Sequence, residues 1–462
     1  MNSGDTAWVL ASAALVLLMT PGLALFYGGM VRAKSVLNMM MMSFGSLALI
    51  SVLWVLFGYS EAFGNDVGGG LVANPFEFFG LEKLIGTSKT DASAFTSTHL
   101  VGSVPALAFV AFQAVFAIIT VALISGAIAD RARFGPWMLF SGIWVTVVYF
   151  PVAHWVFAFD GGQSAKGGWI ANNLKAIDFA GGTAVHINAG AAGLALALII
   201  GKRVGFGRDP MRPHNLTLVM TGAGLLWFGW FGFNAGSAVA ANGQAAETWV
   251  TTMVATGAAS LGWLLTEKIR DGHATSLGAA SGVVAGLVAI TPSCSSVTPL
   301  GAIAIGAIAG VVCALAVSLK YRFGFDDSLD VVGVHLIGGL WGTLAVGLFA
   351  SAATTAGVNG LFYGGGLDQL WRQAVGAFAV LLFSFVVTYI IGLAIHKTWG
   401  FRISEEDEIT GIDGAIHAET AYDLTTLGGG AGHGSSVIGS SGTGSAHATS
   451  LGEPARTEGV RV

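Results

Sequence analysis

Two copies of one pattern of ionisable residues and glycines lie within apolar stretches of the chain. The first copy, Asp178, His186, Gly190 and Gly193, has the spacing D-x7-H-x3-G-x2-G. The second copy has the same spacing and consists of Asp327, His335, Gly339 and Gly342. Ionisable side chains are costly in a bilayer and mark functional sites there. The two histidines are therefore the first candidates for a site.

The composition indicates that membrane-spanning helices must position these histidines. The 462 residues are 54% hydrophobic and 10% charged, with 68 glycines, outside the range of ordinary soluble domains. Apolar runs long enough to cross a hydrocarbon core of about 30 Å occur at eleven positions. They are 7–29, 38–60, 100–127, 136–157, 179–200, 216–238, 247–266, 275–294, 298–319, 332–352 and 373–396. We expect an all-α polytopic membrane protein with eleven transmembrane helices.

The positions of lysine and arginine predict the orientation of these helices, because positive residues favour cytoplasmic loops. With the N-terminus outside, 16 of the 21 lysines and arginines lie on the cytoplasmic side. The first six residues contain an acid and no Lys or Arg, unlike the start of a signal peptide. The N-terminus is therefore expected outside and the C-terminus in the cytoplasm.

The composition also divides the chain into three regions. Residues 1–400 contain the predicted transmembrane domain, and residues 401–425 form an acidic cytoplasmic segment. Residues 426–462 are rich in Gly and Ser and are expected to be disordered, because they cannot bury enough apolar surface. Cys294 and Cys313 lie within apolar spans and indicate neither a disulfide nor a metal cage. Nothing in the composition suggests a nucleic-acid partner.

The two histidine motifs lie on predicted helices five and ten, which cross the membrane in opposite directions. This is typical of an inverted repeat, here of five plus five helices with a final helix added, and such repeats place sites near the midplane. Each histidine follows its aspartate by eight residues, or about 12 Å along a helix. The imidazoles of His186 and His335 are therefore expected to meet, and the nearby glycines permit close helix approach.

Three kinds of site compete for the histidine pair. Two buried histidines could be purely structural, but neutral polar residues fill that role more cheaply in lipid. Zinc needs three or four protein ligands, and the acids of this chain lie in loops, in the tail or at helix ends. Neutral imidazoles in an apolar pore offer hydrogen-bond donors and acceptors, which suits a small polar molecule or a proton relay. We expect no metal and no other cofactor.

A second group of candidate residues is mostly aromatic. Phe112 and Phe116 lie four residues apart on one face of predicted helix three, and helix six supplies Trp230, Phe233 and Ser237. Most aromatic stripes only pack against lipid or neighbouring helices. Near an outer end and beside a serine, however, aromatic faces can bind a cation with about 0.5–2 kcal/mol. We expect a recruitment site for a small cation that donates hydrogen bonds.

Five segments are long enough to compare with known families. They are D-F-A-G-G-T-A-V-H-I-N-A-G-A-A-G (178–193), F-Q-A-V-F-A-I-I-T (112–120), W-F-G-W-F-G-F-N-A-G-S (227–237), D-D-S-L-D-V-V-G-V-H (326–335) and G-I-D-G-A-I-H-A-E-T-A-Y (411–422). Together they resemble the ammonium transporter family, Amt/MEP/Rh, and the tail segment resembles the bacterial Amt type. The resemblance implies a homotrimer with one pore per subunit in the bacterial cytoplasmic membrane, and no enzymatic activity.

The resemblance also implies roles for individual residues. His186 and His335 match the twin histidines of the pore, and Phe116 and Phe233 match a stacked phenyl gate. The residues that match or adjoin the outer recruitment site are Phe112, Phe157, Trp230 and Ser237. Asp178 matches an acid near this site, which we expect to hold the site in shape and to complement the dipole of helix five.

One position departs from the family pattern. The family usually reads P-x-A-H-x-x-W where this chain reads P-V-A-H-W-V-F at 151–157. Phe157 thus replaces the recruiting tryptophan, and Trp155 lies two residues away. Because phenylalanine is a weaker cation-π partner than tryptophan, either recruitment is weaker or Trp155 substitutes. The sequence leaves both possibilities open.

The expected mechanism starts from NH4+ bound at the outer aromatic site. The ion loses its proton there and NH3 passes the phenyl gate, because a bare cation is strongly disfavoured in an apolar pore. The histidines hydrogen-bond the passing molecule and carry the proton, so that net charge moves. Two alternatives remain, an electroneutral NH3 channel of the Rh kind and an ammonium sensor that signals through its tail.

The tail suggests regulation. Composition alone predicts only a solvated acidic segment. The residues that match the cytoplasmic regulatory segment of the family are Gly411, Asp413, His417, Glu419 and Tyr422. The resemblance implies that this segment contacts the subunits and communicates with a cytoplasmic PII signal protein.

Overall fold

The helices follow the apolar runs of the sequence. The computed structural model describes residues 1–85 and 100–422, and within them eleven long helices form a bundle. In chain order these are α1 (Ser3–Met30), α2 (Val36–Phe63), α3 (Ala106–Ile128), α4 (Phe134–Phe157), α5 (Gly182–Ile200), α6 (Leu216–Ala238), α7 (Gly243–Asp271), α8 (Ser276–Ile290), α9 (Pro299–Phe323), α10 (Val332–Phe349) and α11 (Asp368–Thr398). The region predicted to be disordered, 426–462, lies outside the described residues.

Nine of the helices in this described part are long and apolar enough to cross a membrane. The other two are α7, which has 29 residues but is less apolar, and α8, which is apolar but has 15 residues. Threonines on the buried face of α7, such as Thr252 and Thr256, lower its hydropathy. Both hydroxyls are hydrogen-bonded inside the bundle, so they do not prevent α7 from packing there.

Several smaller elements connect or follow the long helices. Strand β1 (Leu100–Val101) pairs antiparallel with β2 (Val104–Pro105) immediately before α3. A short helix α12 (Glu405–Thr410) follows α11. Single helical turns occur at Ile170–Leu174, Leu361–Tyr363 and Asp413–His417, and Phe79–Leu84 is a kinked helical segment in which Gly80 and Leu81 have positive φ. Residues Met1–Ala421 form one compact unit, so α12 belongs to the same unit as the bundle.

Polar side chains determine where several helices begin. Asn215 accepts a hydrogen bond from the N–H of Leu218 at the start of α6, and Asn242 does the same for Ala245 in α7. Such caps satisfy N–H groups that have no partner within the helix. The loop residues of the sequence therefore determine the boundaries of these helices as much as the apolar runs do.

Small residues allow neighbouring helices to approach closely. A methyl group at Gly222 of α6 would lie 2.3 Å from the backbone nitrogen of Phe26 in α1. A methyl at Gly306 of α9 would lie 2.1 Å from the carbonyl oxygen of Ala255 in α7. Close packing of this kind drives helix association in membranes, where lipid competes equally for apolar side chains.

Helices α5 and α10 begin with unusual turns. The first residues of α5, Gly182–Ile187, and of α10, Val332–Leu336, form π-helical turns that are wider than an α-helical turn. Both turns are buried in the bundle. Such insertions are rare and often occur at functional sites, and each of these two carries one of the predicted histidines.

Candidate functional site

His186 and His335 meet in the interior of the bundle. Their Nδ1 atoms are 3.3 Å apart, and the ring planes are inclined by 24°. The side chains are almost completely buried. Because a hydrogen bond between two ring nitrogens needs one donor and one acceptor, at least one ring carries its proton on Nδ1. The structure thus brings together the two residues that the repeated motif predicts as partners.

Two aspartates hold the turns that carry the histidines. The Asp178 carboxylate accepts hydrogen bonds of 2.7–3.1 Å from the N–H groups of residues 181 to 184. Asp327 accepts bonds of 3.0 and 2.7 Å from Val331 and Val332. A carboxylate in this position satisfies free N–H groups and complements the helix dipole. Both oxygens of Asp178 are therefore used to fix the start of α5.

Glycines set the spacing between α5 and α10. A methyl at Gly190 would lie 2.5 Å from the backbone nitrogen of Leu336, next to His335. A methyl at Gly339 would lie 3.1 Å from Cβ of His186. Gly190 and Gly339 therefore each pack beside the histidine, or its chain neighbour, on the other helix. Because later residues of one helix meet earlier residues of the other, α5 and α10 run antiparallel where they cross.

A stacked pair of phenylalanines lies beside the histidines. Phe116 and Phe233 are fully buried, with ring centroids 4.0 Å apart and planes inclined by 11°. The Phe233 ring lies 6.2 Å from that of His186. On the other side, Phe116 makes an edge-to-face contact with Phe157 at 6.4 Å. The stack thus separates the histidines from Phe157.

Phe157 lines a cleft that also includes Lys175, Asp178, Ser237 and Arg372. The space open to the centre of a water-sized molecule is about 560 Å³, so the cleft can hold a hydrated ion. The Ser237 hydroxyl donates to the carbonyl of Phe233 at 2.8 Å. Since a hydroxyl oxygen also has two lone pairs, Ser237 can still accept a hydrogen bond from a cation in the cleft.

The cavity beyond the stack is far narrower. It is lined by His186, His335 and ten apolar residues, and only about 10 Å³ is open to the centre of a water-sized molecule. That is room for about one such molecule. The indole N–H of Trp230 points to the hydroxyl of Thr291 at 2.9 Å. The imidazoles therefore supply the free polar side-chain atoms of this inner cavity.

A third cavity continues from the histidines toward the opposite end of the bundle. It shares His335 with the inner cavity and extends to Tyr27, Ser281 and Asp330. Asp330 forms a 2.7 Å ion pair with Lys320. The sequence patterns do not single out this ion pair, although Asp330 lies only five residues before His335. The cleft, the Phe116/Phe233 stack, the inner cavity and this third cavity at Asp330 follow one another through the bundle.

Three predicted residues, Trp155, Trp230 and Phe112, do not line the cleft. Trp155 packs against Trp169 and Phe383, and its indole donates to the carbonyl of Leu71 at 2.8 Å. Of the two aromatic candidates at this position, only Phe157 lines the cleft.

Trp230, predicted among the recruitment residues, lies instead beyond the stack. Its ring is 5.3 Å from that of His186 and nearly parallel to it. Phe112 is fully buried and contacts the edge of Phe116 at 4.9 Å, so it supports the stack from behind. Helical spacing predicts the faces on which Trp230 and Phe112 lie, but it does not predict how far each lies along the path from the cleft to the histidines.

Metal binding finds no support in the part of the chain that the structure describes. Within residues 1–85 and 100–422, no three His, Cys, Asp or Glu side chains are grouped so that they could hold a metal ion. Both cysteines are free and buried. A histidine pair with two apolar helices around it supplies too few ligands for zinc.

The C-terminal segment returns to the start of α2. The Asp413 carboxylate accepts hydrogen bonds from the N–H groups of Leu37 and Asn38 at 3.0 and 2.8 Å, which caps that helix. Nε2 of His417 lies 3.1 Å from Oδ1 of Asn38, and its ring contacts the edge of Phe134. The predicted tail residues Asp413 and His417 therefore attach the segment to the bundle.

The other predicted tail residues surround this attachment. Gly411 has a backbone φ of 135°, and a methyl there would lie 2.9 Å from Cβ of Lys34, so glycine is required. The N–H of Glu419 bonds to the carbonyl of Asp413 at 3.4 Å. Tyr422 is the last residue of the described part and is partly exposed.

Buried charges join the same segment to the loops of the bundle. Glu408 of α12 accepts a 2.8 Å hydrogen bond from Arg402 and another from the N–H of Val204. Nearby, Arg203 forms ion pairs with Asp326 at 2.8 Å and Asp130 at 3.1 Å. Burial alone raises the pKa of Asp326, but the hydrogen bonds and charge of Arg203 hold it below its ordinary value. Asp326 therefore stays ionised within this network.

The bundle of apolar helices defines the class of the molecule, a multi-pass membrane protein. The family described as Ammonium Transporter Family matches residues 7–422. An ammonium transporter of Mycobacterium tuberculosis is 63% identical over 439 residues, which cover 93% of this chain and 92% of the relative. The chain therefore belongs to the ammonium transporter family.

Solved structures have the same fold. Mep2 of Saccharomyces cerevisiae superposes with a TM-score of 0.76 at 34% identity, and the match covers 88% of each chain. A structure named as a sensor Amt protein superposes with a TM-score of 0.80 at 28% identity, over 89% of this chain and 98% of that one. The family resemblance expected from the five sequence segments is thus confirmed.

Proposed function

We propose that this protein carries ammonium into the cell, with NH4+ entering the cleft and NH3 passing the histidines. In this mechanism NH4+ first binds among Phe157, Ser237 and the edge of Phe116. The cation gains cation-π energy from the rings and donates a hydrogen bond to Ser237. Asp178 keeps the start of α5 in place and does not bind the ion, because both of its oxygens already accept N–H bonds.

We place the loss of the proton at the Phe116/Phe233 stack, with the histidine pair behind it as the group that accepts the proton. The cleft can hold a hydrated ion, whereas the inner cavity has room for about one water-sized molecule and apolar walls. A cation stripped of water is strongly disfavoured in such surroundings. Ammonia is neutral and small, so the stack and the inner cavity favour NH3 over NH4+ and over potassium.

The observation that carries the proposal is the histidine pair itself. The 3.3 Å contact between the Nδ1 atoms allows a proton to move from one ring to the other. Nε2 of His186 is buried, and no hydrogen-bond partner for it exists among the described residues. That atom is free to hydrogen-bond a molecule in the inner cavity. We propose that the pair transfers the proton while NH3 passes, so that net positive charge enters.

The membrane arrangement is part of the proposal. All eleven helices cross the bilayer as an inverted repeat of five plus five with α11 added, and the cleft faces outside. The antiparallel crossing of α5 and α10 supports this arrangement. We further propose a homotrimer with one pore in each subunit, in the cytoplasmic membrane of a bacterium, with the N-terminus outside and the C-terminus inside.

The experiment that tests the transport mechanism is a current measurement on purified protein in proteoliposomes. Ammonium addition should give a positive inward current together with ammonium accumulation inside the liposomes. Entry of NH3 alone would give no current and would make the interior alkaline, because each NH3 takes up a proton there. Empty liposomes and liposomes given potassium at equal concentration are the controls. Ammonia flux without any charge movement would refute proton transfer and favour the electroneutral channel.

A sensor role is the second candidate function, and the attached C-terminal segment favours it. Asp413 and His417 connect this segment to the start of α2, and Glu408 connects it to the loop after α5, so a change in the bundle can reach it. We propose that the segment also presents the surface for a cytoplasmic PII signal protein. Transport-dead variants that still support ammonium-dependent signalling in cells would establish sensing as a separate function.

A further inference from the structure

A lysine lies in the wall of the cleft through which a cation is proposed to enter. Lys175 is exposed and follows the helical turn Ile170–Leu174. Its backbone adopts the left-handed conformation, with φ 58° and ψ 36°. Glycine or asparagine fits that conformation with less strain than lysine does. Strain of this kind is often found where a side chain has a function.

The backbone of this turn is tied to α11. The side chain of Gln369 donates to the carbonyl of Lys175 at 3.4 Å, and Arg372 donates to the carbonyl of Leu174 at 2.8 Å. Gln369 is itself buried. The position of Lys175 relative to the cleft is therefore fixed by the start of α11.

The other charges of the cleft are each compensated. Arg372 and Asp368 form an ion pair of 2.9 Å, and the carboxylate of Asp178 accepts four N–H bonds. Lys175 has no carboxylate within ion-pair distance in the described part of the chain. Its ammonium group is therefore the uncompensated charge of the cleft.

We propose that Lys175 sets the affinity of the cleft for cations and so determines the ammonium concentration at which transport is half-saturated. The inference rests on the proposed function of the cleft. Charges in a cleft with low-dielectric walls focus their field on its interior. The positive charge of Lys175 opposes the attraction that Phe157 and Ser237 exert on NH4+. The cleft is thereby kept from filling at low concentration, and bound ammonium is released more readily.

The test compares Lys175→Gln with wild type in proteoliposomes, by the ammonium dependence of flux and current. Removing one charge at about 10 Å from a hydrated ion should lower the half-saturating concentration about two- to fivefold. The maximal rate should change much less, because Lys175 touches neither the stack nor the histidines. The difference should disappear when the ionic strength rises from about 0.01 M to about 1 M, where the Debye length falls to about 3 Å.

Two further variants separate a charge effect from a structural one. Lys175→Arg keeps the charge and should retain the wild-type concentration dependence. Lys166→Gln makes the same charge change at an exposed lysine that does not line the cleft, and it should also behave as wild type. An unchanged half-saturating concentration in Lys175→Gln would overturn the inference alone. So would a shift that persists at high ionic strength, whereas a wild-type protein that moves no ammonium would overturn the proposed function as well.

Discussion

Gly190→Ala should separate the two histidines without changing any polar atom. The new methyl would lie 2.5 Å from the nitrogen, 2.6 Å from Cβ and 2.7 Å from Cα of Leu336. Ordinary contact begins at 3.4 Å, so the closest of these contacts is short by about 0.9 Å. Because two of the three atoms belong to the backbone, α10 must move away from α5 as a unit.

The consequence for the histidine pair follows from its geometry. His335 precedes Leu336 in the chain and moves with it, so the 3.3 Å contact between the Nδ1 atoms would exceed hydrogen-bond length. Overpacking of this kind costs about 1–3 kcal/mol of stability. A misplacement of about 1 Å in a reacting pair lowers rates by up to about 100-fold. We expect ammonium flux to fall at least about tenfold.

The assay is ammonium-driven flux and current in proteoliposomes, with the unfolding temperature measured in detergent. Gly339→Ala has a milder conflict of 3.1 Å with His186 and should lose less activity. Gly224→Ala is the matched control, because no atom lies within 4 Å of the new methyl and a helix gains slightly from alanine. Wild-type flux in Gly190→Ala, or a larger loss in Gly339→Ala, would refute the role of the helix crossing.

Three further predictions concern other parts of the molecule. Phe157→Trp should lower the half-saturating ammonium concentration about two- to fivefold, because tryptophan is the better cation-π partner; an unchanged value would argue against cation binding at this ring. Asp413→Ala removes the acceptor for two N–H groups and should weaken attachment of the C-terminal segment by about 1–3 kcal/mol, seen as faster proteolysis after α12 with the bundle intact. Asp326 has a lowered pKa, so its stabilising effect is present above the ordinary aspartate pKa and is lost as the pH falls below it. Thermal unfolding across acid pH should show this loss in wild type and not in Asp326→Asn, which starts less stable at neutral pH because Arg203 loses one of its two ion-pair partners and keeps only Asp130.

The helical architecture is largely contained in the sequence. Apolar runs locate the helices to within a few residues, as for the run 332–352 and helix α10 at Val332–Phe349. The repeat of Asp, His and two glycines predicts that His186 and His335 meet, because equal spacing from opposite ends brings both to the same depth. These features depend on length and period, which a linear sequence records.

Other features depend on three-dimensional detail that periodicity does not carry. Trp230 and Ser237 lie on one helix, but only the structure places Trp230 beyond the stack and Ser237 in the cleft. The choice between Phe157 and Trp155 depends on which ring faces Phe116, and a π-helical turn within α4 at Val145–Tyr149 changes the rotation of the helix just before them. Lys175 lines the cleft, and its own backbone has a left-handed conformation that no apolar pattern predicts.

We propose that the histidine pair conducts NH3 and transfers the proton that NH4+ loses. The most direct test measures ammonium flux, current and discrimination from potassium for His186→Ala and His335→Ala in proteoliposomes, with correct folding checked by unfolding temperature. Each variant should lose the ammonium current, and any remaining conduction should no longer distinguish ammonium from potassium. Unchanged flux and unchanged discrimination in both variants would contradict this proposal.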